Sequence, residues 1–281
     1  MSFLAQGKVN YNSRILRADT LASRYAFAKQ ILEFYRPIVT FQKQLHEDLP
    51  KFLGRHPVAP GDGNLRGPLN VPILMRPFGQ FLNVIETHGP GPLAGHAHEC
   101  SQKSETVWAD LLEKFWHCGM QRAPEAQANG TDPLNEFLAR AFLQPYAEFI
   151  VAAMLPPVLP MTVCRCPRCS SLPVLGVLRP EGDGGKRFLL CAFCSQEWEF
   201  RRIFCAHCGE EAEQKLPVYV AEQFRHIRVE CCDTCKHFLR TIDLTTDGNA
   251  VPMVDDLAAI PLTLWADENG YTRIQANLFG T

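Results

Sequence analysis

The chain has 281 residues, of which 46% are hydrophobic and 21% are charged, and its formal net charge at pH 7 is −2. This composition is that of an ordinary globular protein, and the length allows two domains with a hydrophobic core each. The small negative charge argues against a general attraction to nucleic acid or to anionic membranes.

Residues 1–20 lack the basic stretch and apolar run of a secretory signal, and no uncharged apolar run reaches the ~20 residues that span a bilayer. We therefore expect a soluble, cytoplasmic protein. Thiols stay reduced in that compartment, so the twelve cysteines argue for metal binding before disulfides.

The first half of the chain, residues 1–160, shows the apolar spacing that is typical of helices. Asp19 and Thr20 are candidate N-caps for an apolar stripe from Leu21 to Val39. Pro37 lies inside this stripe, and we expect it to kink or divide the helix because proline lacks an amide proton.

Further helices are predicted in the same half. One covers residues 73–87, and another begins after Ser104. Asp132 followed by Pro133 is a strong start signal, since proline suits the first helical position. Pro145 is expected to restart that helix.

Two segments rich in glycine and proline are predicted to be loops. The first covers residues 54–72, and the second leads into His96, His98 and Cys100. These three side chains resemble a metal site on paper. No second ligand pair lies nearby in the sequence, so a solvated loop is the favoured interpretation.

From Val163 onward the chain contains short β-rich runs that are separated by cysteine pairs and turns. Residues 181–185 (EGDGG) fit a hairpin turn because glycine accepts a positive φ without strain. Strands this short cannot build a large core, so the region needs cross-links, and the cysteines are the candidates.

Four cysteine pairs have the Cys-x-x-Cys spacing. Two intervening residues let the chain form a tight turn, called a knuckle below, that directs both sulfurs to one point, and two knuckles complete a tetrahedron. Pairing in chain order gives a first site of Cys166, Cys169, Cys191 and Cys194, and a second site of Cys205, Cys208, Cys232 and Cys235.

Tetrahedral sites of four thiolates suit Zn²⁺ and also a mononuclear, rubredoxin-like iron. The spacing alone favours zinc, the commoner structural metal. Four protein ligands leave no position for water or substrate, and the sequence contains no phosphate-binding loop, G-x-S-x-G elbow or H-E-x-x-H motif. We therefore expect that the protein is not an enzyme.

Several residues near the knuckles are left out of the ligand sets. Cys164 and Cys231 lie just outside their knuckles and are interpreted as partly buried thiols, with extra ligands or reactive thiols as the alternatives. Cys118 is predicted to be a core residue. His207 and His237 are candidates to hydrogen-bond the sulfurs.

The fold class that follows is α+β. Residues 1–160 are predicted to form a helical bundle. Two tandem rubredoxin-like or zinc-ribbon modules, each with a four-cysteine site, follow over residues 161–203 and 204–281, the second with a C-terminal extension.

Over about residues 164–280 the chain resembles the bacterial formate dehydrogenase accessory protein family, formate dehydrogenase formation protein E. The resemblance rests on the segments CPRCSSLPVLGVL, GGKRFLLCAFCSQEWEFRRIFCAHCG, ECCDTCKHFLRTIDL and VDDLAAIPLTLWADENGYTRIQANLFG. Features beyond the cysteines, such as Trp198 and Tyr271, are part of it. Ser170 and Lys236 stand where this family tends to have glycine after the first and fourth knuckles.

The resemblance implies a cytoplasmic factor that is required for active respiratory formate dehydrogenase and that contacts its catalytic subunit. It also implies two iron ions in rubredoxin-like sites held by the eight paired cysteines. The prediction of the metal therefore moves from zinc to iron, with zinc as the alternative. No nucleic acid and no membrane insertion are expected.

Two other functions compete with this one. A nucleic-acid-binding zinc ribbon is opposed by the excess of acidic over basic residues after residue 160, despite Arg201 and Arg202. Redox chemistry is the other, as electron transfer through rubredoxin-like iron or as dithiol exchange, and dithiol exchange would require cysteine pairs that are free of metal.

Overall fold

The N-terminal half is a bundle of helices. The structure is a computed structural model that describes residues 9–53, 65, 67–118, 132–155, 157, 159–182 and 184–281. The helices of the bundle are α1 (Tyr11–Arg24), α2 (Lys29–Leu53), α3 (Val71–His88), α4 (Gly91–Ser101), α5 (Glu105–Cys118) and α6 (Pro133–Ala152). Within the described ranges, no helix combines the length and the apolar character needed to cross a membrane. The loop predicted over residues 54–72 falls largely outside the described residues, and α3 begins inside its last part.

The start of the first helix differs from the prediction. Asn10 is the N-cap of α1, and its side-chain oxygen accepts a hydrogen bond from the Ser13 amide at 3.0 Å. Asp19 and Thr20 lie inside α1 and cap nothing, so that prediction was wrong. The chain instead breaks at Tyr25, whose backbone is extended. The later starts are confirmed: α3 covers the predicted helix, α5 begins after Ser104, and the Asp132 side chain accepts from the Leu134 amide at 2.9 Å.

Two of the prolines inside continuous helices lie where an interruption was expected. Pro37 is within α2 and Pro145 is within α6, so α2 is not divided at Pro37, and the predicted restart at Pro145 was wrong. A proline inside a helix costs about 3 kcal/mol, because a backbone hydrogen bond is lost and the ring crowds the preceding turn. Burial offsets this cost, since Tyr35, Ile38 and Val39 on α2 are all at most 5% exposed.

The C-terminal half consists of short strands and two helices. The strands are β1 (Pro173–Glu181), β2 (Gly184–Cys191), β3 (Glu197–Glu199), β4 (Val218–Val220), β5 (Ile227–Cys231), β6 (His237–Asp243) and β7 (Thr272–Arg273), and α7 (Pro252–Ala258) and α8 (Ile260–Glu268) follow β6. The predicted turn is confirmed: β1 and β2 form an antiparallel hairpin, with φ of 56° at Gly182.

One sheet joins the β1–β2 hairpin to the antiparallel pair β5–β6. The strand order is β3-β2-β1-β6-β5-β4, and β7 pairs with β6. The junction is the parallel pair β1–β6, in which Gly176 lies opposite Thr241. A Cβ atom on Gly176 would lie 2.1 Å from the Thr241 Oγ1, so only glycine lets the two strands approach this closely. The α+β fold class, with a helical part followed by two four-cysteine modules, is confirmed.

Helices and sheet share both hydrophobic cores. The first core combines α2, α3, α5 and α6 with the cysteines of the first site and with Trp198. The second core packs α1 and the first part of α2 against β1, β5, β6, α7 and α8. The division at residues 160 and 203 stays a prediction. The packing shows that neither the helical half nor the C-terminal half buries its apolar surface by itself.

Buried charges connect α7 to distant parts of the chain. Asp256 is 1% exposed, lies 2.7 Å from an Arg240 nitrogen, and accepts a 2.9 Å hydrogen bond from Arg273. Asp255 lies 2.5 Å from Arg17 of α1. Because a buried carboxylate must be paired, these contacts fix the position of α7 against both α1 and the sheet.

Candidate metal centres

The four knuckles share one backbone design. In each, the residue after the second cysteine has a positive φ: 62° at Ser170, 54° at Ser195, 79° at Gly209 and 56° at Lys236. The left-handed residue turns the chain back, so that the amide of the first cysteine bonds a carbonyl five residues on, as Cys166 does with Ser171 at 2.9 Å. Three of these four positions hold a residue other than glycine, which costs of order 1 kcal/mol each.

The first centre brings together Cys166, Cys169, Cys191 and Cys194, as the pairing in chain order predicts. The sulfur of Cys169 lies 3.3 Å from that of Cys191 and 3.7 Å from that of Cys194, and the Cys166 and Cys194 sulfurs are 3.5 Å apart. Four sulfurs at about 2.3 Å from one ion would be roughly 3.8 Å apart, so the set is close to a tetrahedral site. All four side chains are buried.

The second centre brings together Cys205, Cys208, Cys232 and Cys235. The sulfurs of Cys205 and Cys235 are 3.8 Å apart, and those of Cys208 and Cys232 are 3.7 Å apart. These separations match a tetrahedron of thiolates around one ion. Unlike the first centre, this one reaches the surface, because Cys208 is exposed and Cys235 is half-buried.

The electrostatics of both centres favour a bound cation. Burial raises the pKa of the Cys166 and Cys194 thiols well above the usual value, and it raises the pKa of Cys205 to about 11. Burial also opposes ionisation of Cys169, but hydrogen bonds with neighbouring cysteines and with Ser171 outweigh it and lower that pKa. Without a cation, neither set holds four thiolates at pH 7. A divalent ion supplies the charge that makes all four thiolates favourable, so the residues present fit a metal.

Helices cover the first centre. The ring of Phe193, inside the second knuckle, packs against Phe115 and Trp116 of α5 with centroids 5.4 and 6.1 Å apart. The Arg140 guanidinium of α6 donates to the Ala192 carbonyl of the same knuckle at 3.0 Å, and burial lowers its pKa to about 10. The first centre is therefore an internal cross-link between the sheet and the bundle.

A buried polar network continues from this knuckle into α1. Ser195 donates a 2.5 Å hydrogen bond to the carboxylate of Glu148 on α6. The same carboxylate lies 2.8 Å from Arg14 and accepts a hydrogen bond from the Tyr11 hydroxyl. Each polar group of the network thus has a partner, as burial requires.

Two histidines flank the second centre. The rings of His207 and His237 stack with centroids 3.7 Å apart and planes at 14°. His207 lies in the third knuckle, and its amide donates to the Cys205 sulfur at 3.4 Å. His237 follows the fourth knuckle, and its Nδ1 lies 2.8 Å from the Cys235 carbonyl oxygen. The sequence identified both residues but gave no sign that their rings stack.

The histidine segment of the helical half is not the predicted loop. His96, His98 and Cys100 all lie on α4, because Pro92 fits the first turn of a helix, where an amide proton would have no acceptor within the helix. His96 Nε2 contacts Asn135 at 2.9 Å, and His98 Nδ1 contacts Glu86 at 2.9 Å. These side chains belong to no group of three potential ligands among the described residues.

Other cysteines lie outside both sets. Cys231 is 3% exposed, and burial together with Asp233 raises its pKa to about 12. Cys164 is half-buried, with its sulfur 3.9 Å from the Cys205 carbonyl oxygen. The side chain of Cys118 falls outside the described part of the chain.

A further group of possible ligands is filled by an arginine. His226, Asp247 and Asp255 lie close enough to share an ion. The Arg17 guanidinium lies 2.9 Å from Asp247 and 2.5 Å from Asp255, and His226 lies 2.8 Å from Asp255. The group is therefore a salt-bridge cluster that attaches α1 to the C-terminal half.

A large groove lies beside the first centre. It has a volume of about 900 Å³ and is bounded by α2, α6, the turn between α3 and α4, and residues 275–280. Phe34, Phe137 and Phe279 line it, with ring centroids 5.7 to 6.2 Å apart, and Arg140 also contributes to its wall. Sequence reasoning missed this groove because its walls come from segments more than 200 residues apart.

Comparison with known proteins agrees with this architecture. Residues 165–202 match the family model "FdhE, central domain", and residues 203–279 match "FdhE, C-terminal domain". A crystal structure of the FdhE protein from Pseudomonas aeruginosa superposes with a TM-score of 0.71 over 98% of both chains, at 23% identity, and shows the same fold.

Relatives named "Protein FdhE homolog" cover different shares of the chain. The homolog from Aquifex aeolicus is 26% identical over 72% of this chain and 69% of its own length. The homolog from Pectobacterium atrosepticum is 26% identical over 96% and 86%. The match to the homolog from Pseudomonas putida, at 32% identity, spans only 48% of that protein. Both domain models and these relatives agree, and the chain is similar to FdhE proteins over its C-terminal half and, at lower identity, over most of its length.

Proposed function

We propose that this chain is a cytoplasmic accessory factor, rather than an enzyme, that binds the catalytic subunit of formate dehydrogenase and is needed to mature the active enzyme. The observation that carries the proposal is the pair of four-cysteine centres within the residues that match the two FdhE domain models. Each centre has all four ligand positions filled by cysteine, which is the design of a structural site rather than a catalytic one.

The proposed ligands are the eight cysteines of the two sets, one metal ion to each set, with iron favoured and zinc as the alternative. A sulfur-only tetrahedron accepts either metal. A bound ion supplies positive charge for the thiolates and cross-links two knuckles. Binding of this kind stabilises small metal modules by on the order of 10 kcal/mol per site.

Contacts of the second knuckle with the helices connect metal binding to the arrangement of the protein surface. At the first centre, Phe193 packs on α5, Ser195 bonds Glu148 of α6, and Arg140 bonds Ala192. Order in the second knuckle is thereby coupled to the position of α5 and α6. The accessory role needs a rigid surface for its partner, and these contacts support one that depends on the metal.

A second candidate function is electron transfer. The exposed Cys208 brings the second centre to the surface, and an electron carrier needs such access. If iron occupies this centre, its visible thiolate-to-iron absorption should bleach on reduction and return on oxidation. A colourless, zinc-containing native protein would eliminate this candidate.

The accessory role is tested by capture from the native host. The tagged full-length chain is purified from cells grown anaerobically on formate, and the co-purifying proteins are identified by mass spectrometry. Cys232→Ser removes a proposed ligand, and Cys231→Ser is its matched control, since the two neighbouring side chains are 2% and 3% exposed. The catalytic subunit of formate dehydrogenase should be enriched with the wild type and with Cys231→Ser, and much less with Cys232→Ser.

Formate dehydrogenase activity in the same cells should follow the same order. If none of the three chains captured a formate dehydrogenase subunit, the proposal would be contradicted. Capture of ribosomal or nucleic-acid-bound proteins that nuclease releases would favour the nucleic-acid-binding ribbon instead.

A further inference from the structure

We propose that His207, His237 and Cys235 form a third cation site at the surface edge of the second centre, for an exchangeable borderline divalent ion such as Zn²⁺ or Co²⁺. The inference rests on the proposed occupancy of the second four-cysteine centre, because Cys235 would be shared between the two ions.

The three side chains lie together at the surface. One ligand atom from each lies within 4.8 Å of the others. His207 is exposed, while His237 and Cys235 are half-buried, so an ion from solvent reaches all three. Imidazole nitrogen and thiolate sulfur are the donors that Zn²⁺ and its neighbours in the transition series prefer.

His237 is already held as a metal ligand would be. Its Nδ1 lies 2.8 Å from the carbonyl oxygen of Cys235, and a carbonyl oxygen only accepts hydrogen bonds. The proton is therefore assigned to Nδ1, which leaves the lone pair on Nε2. Metal-bound histidines usually donate their other ring nitrogen to a carbonyl or carboxylate in this way, which fixes the tautomer and the ring orientation.

The stacked rings need a small rearrangement to bind one ion. Their planes are 14° apart, so the lone pairs of the ring nitrogens lie in nearly parallel planes. Binding of one ion requires a rotation about the side-chain bonds that turns one nitrogen of each ring towards a common point. The site then has three protein ligands and keeps a fourth position for water.

The ammonium group of Lys236 is engaged outside the proposed site. Lys236 lies between Cys235 and His237 in sequence, but its Nζ is 2.7 Å from Asp233 and 5.3 Å from the centroid of the Tyr271 ring. These contacts engage the ammonium with a carboxylate and an aromatic ring. Among the described residues, no group of three potential ligands adjoins the first centre, whose four cysteines are buried and have no histidine in either knuckle.

The test is a metal titration of the untagged holoprotein. Tightly bound ions are first counted by mass spectrometry of the metals, and Co²⁺ is then added while its absorption bands are recorded. The wild type should carry two tight ions per chain and bind one weaker Co²⁺, with bands of mixed nitrogen and sulfur ligation. The double variant His207→Ala/His237→Ala should keep both tight ions and bind the weaker one at least about 10-fold less well.

His98→Ala is the matched control, since His98 is an exposed histidine on α4 whose ring contacts Glu86, far from either knuckle in the sequence. It should titrate like the wild type. A wild type that binds no third ion, or a double variant that retains it, would overturn the inference while leaving two tight ions and the proposed function intact. Loss of one tight ion in the double variant would show that the histidines serve the second centre itself and would also overturn it. A wild type with no tight ions would contradict both the inference and the proposed function.

Discussion

Replacing Glu148 tests whether the buried network holds α1, α6 and the second knuckle together. Glu148 is 1% exposed, lies 2.8 Å from Arg14 and accepts hydrogen bonds from Ser195 and Tyr11. Glu148→Ala would leave the Arg14 guanidinium buried without a carboxylate. Removal of one partner of a buried ion pair costs about 3–5 kcal/mol, and the stranded hydroxyls add to this. We expect the free energy of unfolding to fall by about 4 kcal/mol.

The assay is urea unfolding of the metal-loaded protein, followed by far-ultraviolet circular dichroism and tryptophan fluorescence. Glu33→Ala is the control, because the Glu33 side chain is 61% exposed and lies 3.7 Å from Lys29 one helical turn away. Pairs of this kind contribute only about 0.3–0.5 kcal/mol. Arg14→Met combined with Glu148→Leu should recover most of the lost stability, because apolar residues replace both buried charges. If Glu148→Ala cost no more than the control, the network would not connect these elements.

Three more predictions follow from single features of the structure. Gly176→Ala should lower the free energy of unfolding by about 1–3 kcal/mol, because the added methyl group meets Thr241. Gly95→Ala is the control and should not destabilise the protein, because no atom lies near its Cβ. The urea midpoints of the two variants are compared. Ser170→Gly should raise the unfolding free energy by up to about 1 kcal/mol by relieving a left-handed φ of 62°, and an unchanged or lowered midpoint would contradict this. The exposed second centre should lose its metal to a chelator before the buried first centre. The loss should become faster as the pH falls. Burial raises the pKa of metal-free Cys205 to about 11, so protons compete with the metal at every lower pH. Metal release followed between about pH 5 and 8 checks both points.

The cysteine spacing predicted which four cysteines lie together in each set because the pattern is local. A Cys-x-x-Cys turn closes within about six residues, and a hairpin brings the next knuckle back to it. The β-rich runs were also identified correctly, since each strand carries its own alternation and turn signals. These features depend on neighbours in sequence, so one chain without an alignment was enough.

The features that were missed depend on contacts between distant segments. The parallel pairing of β1 with β6 is invisible locally, and Gly176 looks like an ordinary glycine until Thr241 lies opposite it. Pro37 was expected to kink or divide its helix and Pro145 to restart one, but tertiary packing keeps both helices continuous. The Glu148 network likewise joins residues more than 130 positions apart.

The measurement that tests the central claim most directly is X-ray absorption spectroscopy of the protein purified anaerobically from its native host, combined with a count of metal ions per chain. Two ions per chain, each with four sulfur ligands at about 2.3 Å, are the predicted result, and the absorption edge distinguishes iron from zinc. A native protein without stoichiometric metal, or with mainly nitrogen and oxygen ligands, would contradict the assignment of the eight cysteines as the ligands of two metal centres.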